Sequence, residues 1–409
     1  MVVVGAGPTG AFLALALARA RWAVTLVEAT GHGTPRPYRG EGLMPSGLAA
    51  LAALGLWPLP EGVVHRPLQG WAVVLEGRPF FFAPEPLGGD RGCWLVDQES
   101  LLHHLRSRFL QERGSRLLED CAVRGLLRSE SMGRVEGVLM ADGTPLRADL
   151  VVGCDGRYSL VRQQAGLPLQ QEPQGEEVLW FRLAGEPVAP LARWLGGRFL
   201  TVVGQGVSFA LFAEAAGEAL RLGWVAEAGP ARHADTAAWR ELWGALLPGD
   251  AAPLMAQLPD AAIDGPQRFP VRVGWAPRWH VPGLLLLGDA AHPMSPVRAQ
   301  GINMALRDAL VASRLLAPIV ETSTGGEAVQ GAIDAQLSLI VGQRLPEIRW
   351  MQGLQAREAS LGARLRQQGW LRRVLAATAP WSGPLACHRW IQQQHRLRQG
   401  AAGALVLPE

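Results

Sequence analysis

Val2-Val3-Val4-Gly5-Ala6-Gly7-Pro8-Thr9-Gly10, followed by the alanine- and leucine-rich run 11–20, decides the fold. Three consecutive valines read as a short buried strand, the glycine cluster as a turn and 11–20 as a helix; residues 23–27 then supply a second buried strand. This β-α-β context separates a dinucleotide-binding turn from a chance G-x-G-x-x-G. Gly5 permits the tight turn, Gly7 lets the backbone approach a pyrophosphate, and Gly10 lets the helix pack closely. The helix entered through Pro8 and Thr9 offers N–H groups and the positive end of its dipole to phosphates. Glu28 lies at the end of the second strand, where a carboxylate can accept hydrogen bonds from an adenosine ribose.

Outward from this unit, the apolar spacing predicts helices over 46–54 and 98–112, the second carrying Leu101, Leu102, Leu105 and Phe109 on one face. Strands are expected at 123–127, 135–140, 146–152 and 284–287, and a helix at 303–316. Between 177 and 224 the pattern changes to short strands rich in Trp, Phe and Val, a candidate substrate-side sheet. Gly204-Gln205-Gly206 imitates a second dinucleotide turn, but the third glycine is absent and the next residues alternate like a strand, so a hairpin is expected. No separate nicotinamide-binding domain is visible. The chain then reads as helical to about 368, and as arginine-rich and irregular beyond.

The 409 residues, 48% hydrophobic and 18% charged with a net charge of +3, imply a folded protein of two packed lobes or of one large lobe with an inserted sheet, and exclude a disordered chain. There is no lysine, so all 39 basic residues are arginines, and Asn303 is the sole asparagine. Residue types that a biased genome disfavours should survive where chemistry requires them, which draws attention to Asn303. Cys93, Cys121, Cys154 and Cys387 are widely spaced and suggest neither a disulfide framework nor a metal site, which fits a reducing cytoplasm. An N-terminus that opens on a strand leaves no room for a signal peptide, and no apolar run approaches the roughly 20 residues of a membrane span. The expected location is cytoplasmic.

Two further stretches carry a family resemblance. Val151-Val152-Gly153-Cys154-Asp155-Gly156-Arg157-Tyr158-Ser159-Leu160-Val161-Arg162 resembles the Asp-Gly fingerprint of flavoprotein monooxygenases. Leu286-Leu287-Gly288-Asp289-Ala290-Ala291-His292-Pro293 resembles their Gly-Asp fingerprint, continued by Pro296, Gly301 and Asn303. With the first glycine cluster they stand in the order of the group A FAD monooxygenases, typified by para-hydroxybenzoate hydroxylase, and the resemblance covers roughly residues 1–350. It implies an α/β fold with a Rossmann-type FAD-binding domain (1–175 and 280–345), an inserted β-sheet substrate domain (176–279) and a C-terminal helical region (346–409). It further implies non-covalent FAD, NAD(P)H as a transient co-substrate, and oxygenation of an apolar or aromatic small molecule through a flavin hydroperoxide.

Carried over residue by residue, the resemblance makes Asp289, after Gly288, the acceptor for a ribityl hydroxyl, and brings Gly301, Ile302 and Asn303 to the flavin pyrimidine. Asn303 either contacts the pyrimidine edge or caps its helix. Arg39 reaches the cofactor from the segment after the second strand or is a solvated surface residue, and Gln98 opens a helix toward the cofactor. Asp155, Gly156 and Arg162 lie between the pyrophosphate and the nicotinamide groove, or Asp155 and Arg162 form a purely structural pair. His292 is expected to be a hydrogen-bonding strut.

Relatives place Gly-Gly-Gln-Gly or Gly-Ala-Lys-Gly after the proline, whereas this chain has Arg298-Ala299-Gln300-Gly301. Pro296 and Arg298 are therefore the candidate catalytic residues in a chemistry the flavin itself carries. Arg298 points to solvent, neutralises an anionic substrate or the reduced flavin, or crowds the oxygen-reacting face; a position facing the cavity is expected.

Trp180, Phe181, Phe209, Phe212 and Trp224 are the expected pocket wall. Competing readings are an FAD dehydrogenase or reductase and a non-catalytic FAD-binding protein; the Trp-x-Trp-x-Ile motif and lysine of flavin-dependent halogenases are absent. Nothing suggests nucleic acid. Residues 359–408 hold seven arginines and no acidic residue, interleaved with Trp370, Leu371, Trp381 and Trp390, which reads as a domain-covering helical tail or a peripheral membrane contact.

Overall fold

The computed structural model describes residues 1–31, 42–87, 91–130, 133–172, 176–227, 235–319 and 326–401. The β-α-β unit forms its centre. The strand Val2–Val4 runs parallel to Val24–Val27 on one side and Val151–Gly153 on the other. Leu284–Leu286, Ser115–Leu118 and an antiparallel edge at His280–Val281 complete a six-stranded sheet. Strands covered on both faces need apolar side chains on both, which is why 2–4 and 284–286 read as unbroken apolar runs. The helices Pro8–Arg19 and Gln300–Leu316 pack on one another, and Phe12, Leu13, Leu306 and Ala309 are fully buried.

The strand expected over 146–152 divides in two. Pro145–Arg147 pairs antiparallel with Val135–Met140, whereas Val151–Gly153 joins the parallel sheet. The backbone changes sheets between them, and periodicity cannot register such a change.

The substrate-side sheet has seven strands, in the order Ile263–Pro270, Glu176–Ala184, Ala219–Glu227, Val207–Ala213, Arg198–Gly204, Gly70–Leu75 and Arg78–Pro84. Gly70–Leu75 lies parallel to Arg198–Gly204, with Ala72 opposite Leu200, so strand pairing draws residues 70–84 into the sheet along with 176–270. At its hairpin Gly204 pairs with Val207, and Gln205 and Gly206 both take positive φ (49° and 85°), as a two-residue primed turn requires.

Successive side chains of a strand point to opposite faces. Phe181, Phe209 and Trp224 therefore face the core with Trp239 and Trp243, beneath the helices Ala189–Leu195 and Thr236–Leu246. Trp180, Phe199 and Phe212 emerge on the other face, which corrects three of the five residues expected in the pocket wall.

The helix Gly326–Gln367, about 63 Å long at 1.5 Å per residue, spans both lobes. Ile333, Leu337 and Met351 are buried in the dinucleotide-binding core, while Arg366 near its far end donates to Ser208 Oγ in the large sheet. Beyond it the chain forms two further helices, Gly369–Ala377 and Ala379–Gln399, as the family resemblance implied, whereas the residue pattern alone read as irregular. Their inner faces account for the order: Ala376 and Leu397 are buried, and Arg372 pairs with Glu76 at 2.7 Å. Among the described residues no helix is long and apolar enough to cross a membrane.

Candidate active site

One elongated cavity joins the two lobes. From the dinucleotide-binding lobe it is lined by Gly7, Pro8, Thr9, Gly156, Asp289, Gly301 and Ile302, and from the large sheet by Trp71, Trp180, Phe199, Phe212 and Phe269, with Gln98, Pro296 and Arg298 also in its wall.

The glycine turn is shaped as its sequence requires. Gly5 takes φ +98°, and a Cβ there would sit 2.5 Å from the Cys154 carbonyl oxygen; a Cβ on Gly10 would collide with the Gly5 carbonyl. A Cβ on Gly7 or Gly156 would meet nothing within 4 Å, so at these two positions the backbone itself borders open space. No side chain caps the helix Pro8–Arg19, and its first turn holds no acidic residue; the same is true of Gln300–Leu316. Two uncapped helix N-termini, with their unpaired N–H groups and positive dipole ends, thus open on one cavity, a fit for a phosphate at the first and an electron-rich ring edge at the second.

Asp289 fits a hydroxyl-bearing ligand for a complementary reason. Its carboxylate accepts no hydrogen bond from the described residues and has only Arg157 Nη2 nearby, at 3.6 Å, so its acceptor capacity is open. Glu28 is partly engaged: one oxygen accepts from the Ala6 N–H at 2.9 Å and the other from Thr30, while Arg106 lies 3.7 Å away.

The Asp-Gly segment is built differently from the pairing considered above. Asp155 accepts from Ser159 Oγ at 2.5 Å and from the Val161 N–H at 3.0 Å, whereas Arg162 donates to the Ala290 carbonyl at 2.8 Å and the Arg157 carbonyl at 3.4 Å. The two side chains serve different neighbours and form no pair. Burial raises the Asp155 pKa above the ordinary carboxylate value, against the pull of its hydrogen bonds. Arg162 ties the Asp-Gly segment to the Gly-Asp loop.

Asn303 is fully buried and spends its carboxamide on backbone. Its Oδ1 accepts from the Met44 N–H at 2.8 Å, and its Nδ2 donates to the carbonyls of Gly42 (3.1 Å) and Ala299 (2.7 Å). No Asp or Gln has that length with both a donor and an acceptor at its tip, which accounts for an asparagine in a chain that otherwise lacks one. The side chain fastens the segment 42–44 against the helix whose N-terminus faces the cavity. Arg39 lies outside the described residues.

His292 is a strut. It is fully buried, with Nε2 2.5 Å from Asp308 Oδ2; that oxygen also accepts from the Gly288 N–H, and Asp308 Oδ1 accepts from Arg344 Nε at 2.7 Å. Burial drives the Asp308 pKa upward, but His292 and Arg344 together hold it below the ordinary value. Glu347 extends the network to Arg307, whose pKa burial pushes down to about 10.

Arg298 lines the cavity, as expected, but is not an unpaired cation. Its Nε donates to Glu358 Oε1 at 2.6 Å, and its guanidinium lies 4.9 Å and 5.0 Å from the ring centres of Trp71 and Trp390. Glu358 comes from the long helix Gly326–Gln367 and Trp390 from Ala379–Gln399, whose Gln394 Nε2 donates to Glu358 Oε2. Sequence reasoning missed Trp71, Phe199 and Phe269 as wall residues, together with Trp390 beside Arg298. The signal for the first was the unbroken apolar run of residues 70–75, which reads as a buried strand, and nothing local marks Trp390.

An uncapped dinucleotide turn opening into an aromatic cavity under a mostly antiparallel sheet defines the flavoprotein hydroxylase class. Residues 1–335 match the FAD binding domain family, and the chain belongs to it. It is 37% identical to 6-methylpretetramide 4-monooxygenase of Streptomyces rimosus over 333 residues, 77% of this chain and 74% of that protein. It is 26% identical to the 3-demethoxyubiquinol 3-hydroxylase of Escherichia coli K12 over 80% of this chain and 81% of that one. In fold it is similar to PqsL, a probable FAD-dependent monooxygenase from Pseudomonas aeruginosa, with a TM-score of 0.74 at 22% identity over 91% of this chain and 98% of that one. The protein is an FAD-dependent oxidoreductase of the group A monooxygenase type. When bound, FAD supplies the electron transfer and oxygen activation, and the chain supplies binding, orientation and a dry cavity.

Proposed function

We propose that this enzyme hydroxylates a flat aromatic small molecule carrying an acidic oxygen, with NAD(P)H as the source of electrons. The observation that carries this reading is the continuity of the cavity from the dinucleotide turn to a wall of Trp71, Trp180, Phe199 and Phe212. Aromatic rings offer such a wall a large apolar face, and the 6-methylpretetramide named for the Streptomyces rimosus relative points to a polycyclic substrate. Arg298 favours an acidic oxygen, because its guanidinium is oriented by two indoles and engages Glu358 through Nε and Nη2, which leaves Nη1 without a partner among the described residues to donate to an anionic group entering the cavity. FAD would be held by the turn at Gly5, Gly7 and Gly10, by Glu28 and Asp289, and by the backbone of Gly301 and Ile302.

The test is NAD(P)H oxidation by the purified flavoprotein over a panel of phenols and polycyclic aromatics under labelled dioxygen. One labelled oxygen atom in the product, with acidic ligands preferred over their methyl ethers, is the expected result. A product that has lost two hydrogens and gained no label would establish a dehydrogenase instead.

A further inference from the structure

The two C-terminal helices have two faces, and the cavity accounts for only one. On Ala379–Gln399 the inner positions Cys387, Trp390 and Ile391 pack with Trp71 and Leu95. The outer stripe runs at helical spacing through Trp381, Pro384, Leu385, His388, Arg389 and Arg396, all exposed. On Gly369–Ala377 the outer residues Trp370, Arg373, Val374 and Ala377 share the same spacing. Trp370 is 64% exposed and Trp381 79%. Folding therefore leaves two tryptophans and two aliphatic side chains in water beside exposed arginines, in a stretch with no acidic residue from 359 to 408.

We propose that this outer face docks the enzyme on an anionic lipid surface, lying in the plane of the interface without crossing it. Three properties favour lipid over other occupants. Tryptophan suits the headgroup boundary because its ring is apolar and its N–H polar. Among the described residues the outward positive charge meets no carboxylate: Arg372 and Arg398 turn inward to Glu76 and Glu85, while Arg373 on the first helix and Arg389 and Arg396 on the second stay exposed. A second copy of this chain on a two-fold axis would set these arginines against one another with no carboxylate from the stripe to answer them. The inner face of the same helices places Trp390 beside Arg298, so docking would set one side of the substrate cavity close to the bilayer.

The full-length, FAD-loaded protein should be sedimented with phosphatidylcholine vesicles, with and without phosphatidylserine, beside two double variants, Trp370→Ser with Trp381→Ser and Arg373→Glu with Arg389→Glu. The parent is expected to sediment with the anionic vesicles only and to be released by high salt. Each arginine contributes about fivefold in partition, so the arginine variant should lose at least about twentyfold. Bound FAD and NAD(P)H oxidation should be unchanged in both variants, which separates this test from that of the hydroxylation reading. Parent protein left in the supernatant with anionic vesicles would overturn the proposal. So would equal sedimentation of parent and variants, or a parent dimer that both double variants abolish.

Discussion

Arg298 (φ 57°) and Ala299 (φ 50°) are consecutive left-handed residues in the loop where relatives place glycine. The conformation survives the substitution, at a cost of roughly 1–2 kcal/mol per residue, because Glu358, Trp71 and Trp390 hold the side chain. Arg298→Ala should leave FAD bound, lower the flavin midpoint potential, and weaken acidic aromatic ligands by roughly 10- to 150-fold, the worth of a charged hydrogen bond. Glu358→Gln should strengthen those ligands, since it frees the cation. Ligand titration and potentiometry of both variants would check this, and unchanged values in both would leave Arg298 a purely structural residue. Asp289 and Glu28 divide in a similar way. Asp289→Ala should lower FAD affinity by about 1.5–3 kcal/mol with little change in the melting temperature of the FAD-free protein, because among the described residues Asp289 meets only the partly exposed contact with Arg157 at 3.6 Å. Glu28→Ala should lower both, because Glu28 also receives the Ala6 and Thr30 N–H groups.

The helix Gln300–Leu316 presents its N-terminus to the cavity and its buried charges to the other elements. Asp308 on that helix joins His292 of the Gly-Asp loop to Arg344 of the long helix, so one carboxylate fixes the relation of three segments. Arg344→Met would leave Asp308 with His292 alone and Glu347 with Arg307 alone among their ion-pair partners, two buried carboxylates that have each lost a guanidinium, and a loss of about 3–5 kcal/mol is expected. The pH dependence follows from the direction of the Asp308 shift. A carboxyl whose folded pKa is depressed stabilises above its unfolded value and loses that contribution as pH falls through the folded value. In the parent the contribution of Asp308 should therefore be complete above the ordinary carboxylate range and be lost progressively below it, down to the depressed folded value, and Arg344→Met should move the acid unfolding transition to higher pH. Coincident acid transitions of parent and variant would contradict this account.

Across the whole molecule, the cavity is assembled from the first glycine turn, the segment 42–98, the large sheet and the Gly-Asp loop, with the last described helix closing over Arg298 and Trp71. Trp390 meets the Trp71 ring at 6.0 Å and the Phe81 ring at 5.6 Å. Trp390→Ala should open this side of the cavity to water while leaving the dinucleotide turn intact. The expected outcome is unchanged FAD content with a larger share of NAD(P)H oxidation ending in hydrogen peroxide instead of hydroxylated product. Peroxide yield per NAD(P)H is the measurement, and an unaltered yield would show that Trp390 does not seal the cavity.

The sequence by itself determined the parts whose cause is local. A β-α-β unit with glycines at three defined offsets forms because backbone approach and helix packing are set within ten residues, and the two later fingerprints are equally compact. The hairpin at Gly204–Val207 was legible for the same reason. The tertiary structure alone decided what depends on facing and on distance along the chain. Strand parity, fixed by the pairing register, sent Phe212 to the cavity and Phe209 to the core, although both belong to one aromatic run. The partner of Arg298 stands 60 residues away at Glu358, and the carbonyl that Asn303 holds stands 261 residues away at Gly42. A sequence shows that such side chains need partners, because buried donors and charges are costly when unmet; which partner each one finds is settled only when the chain folds.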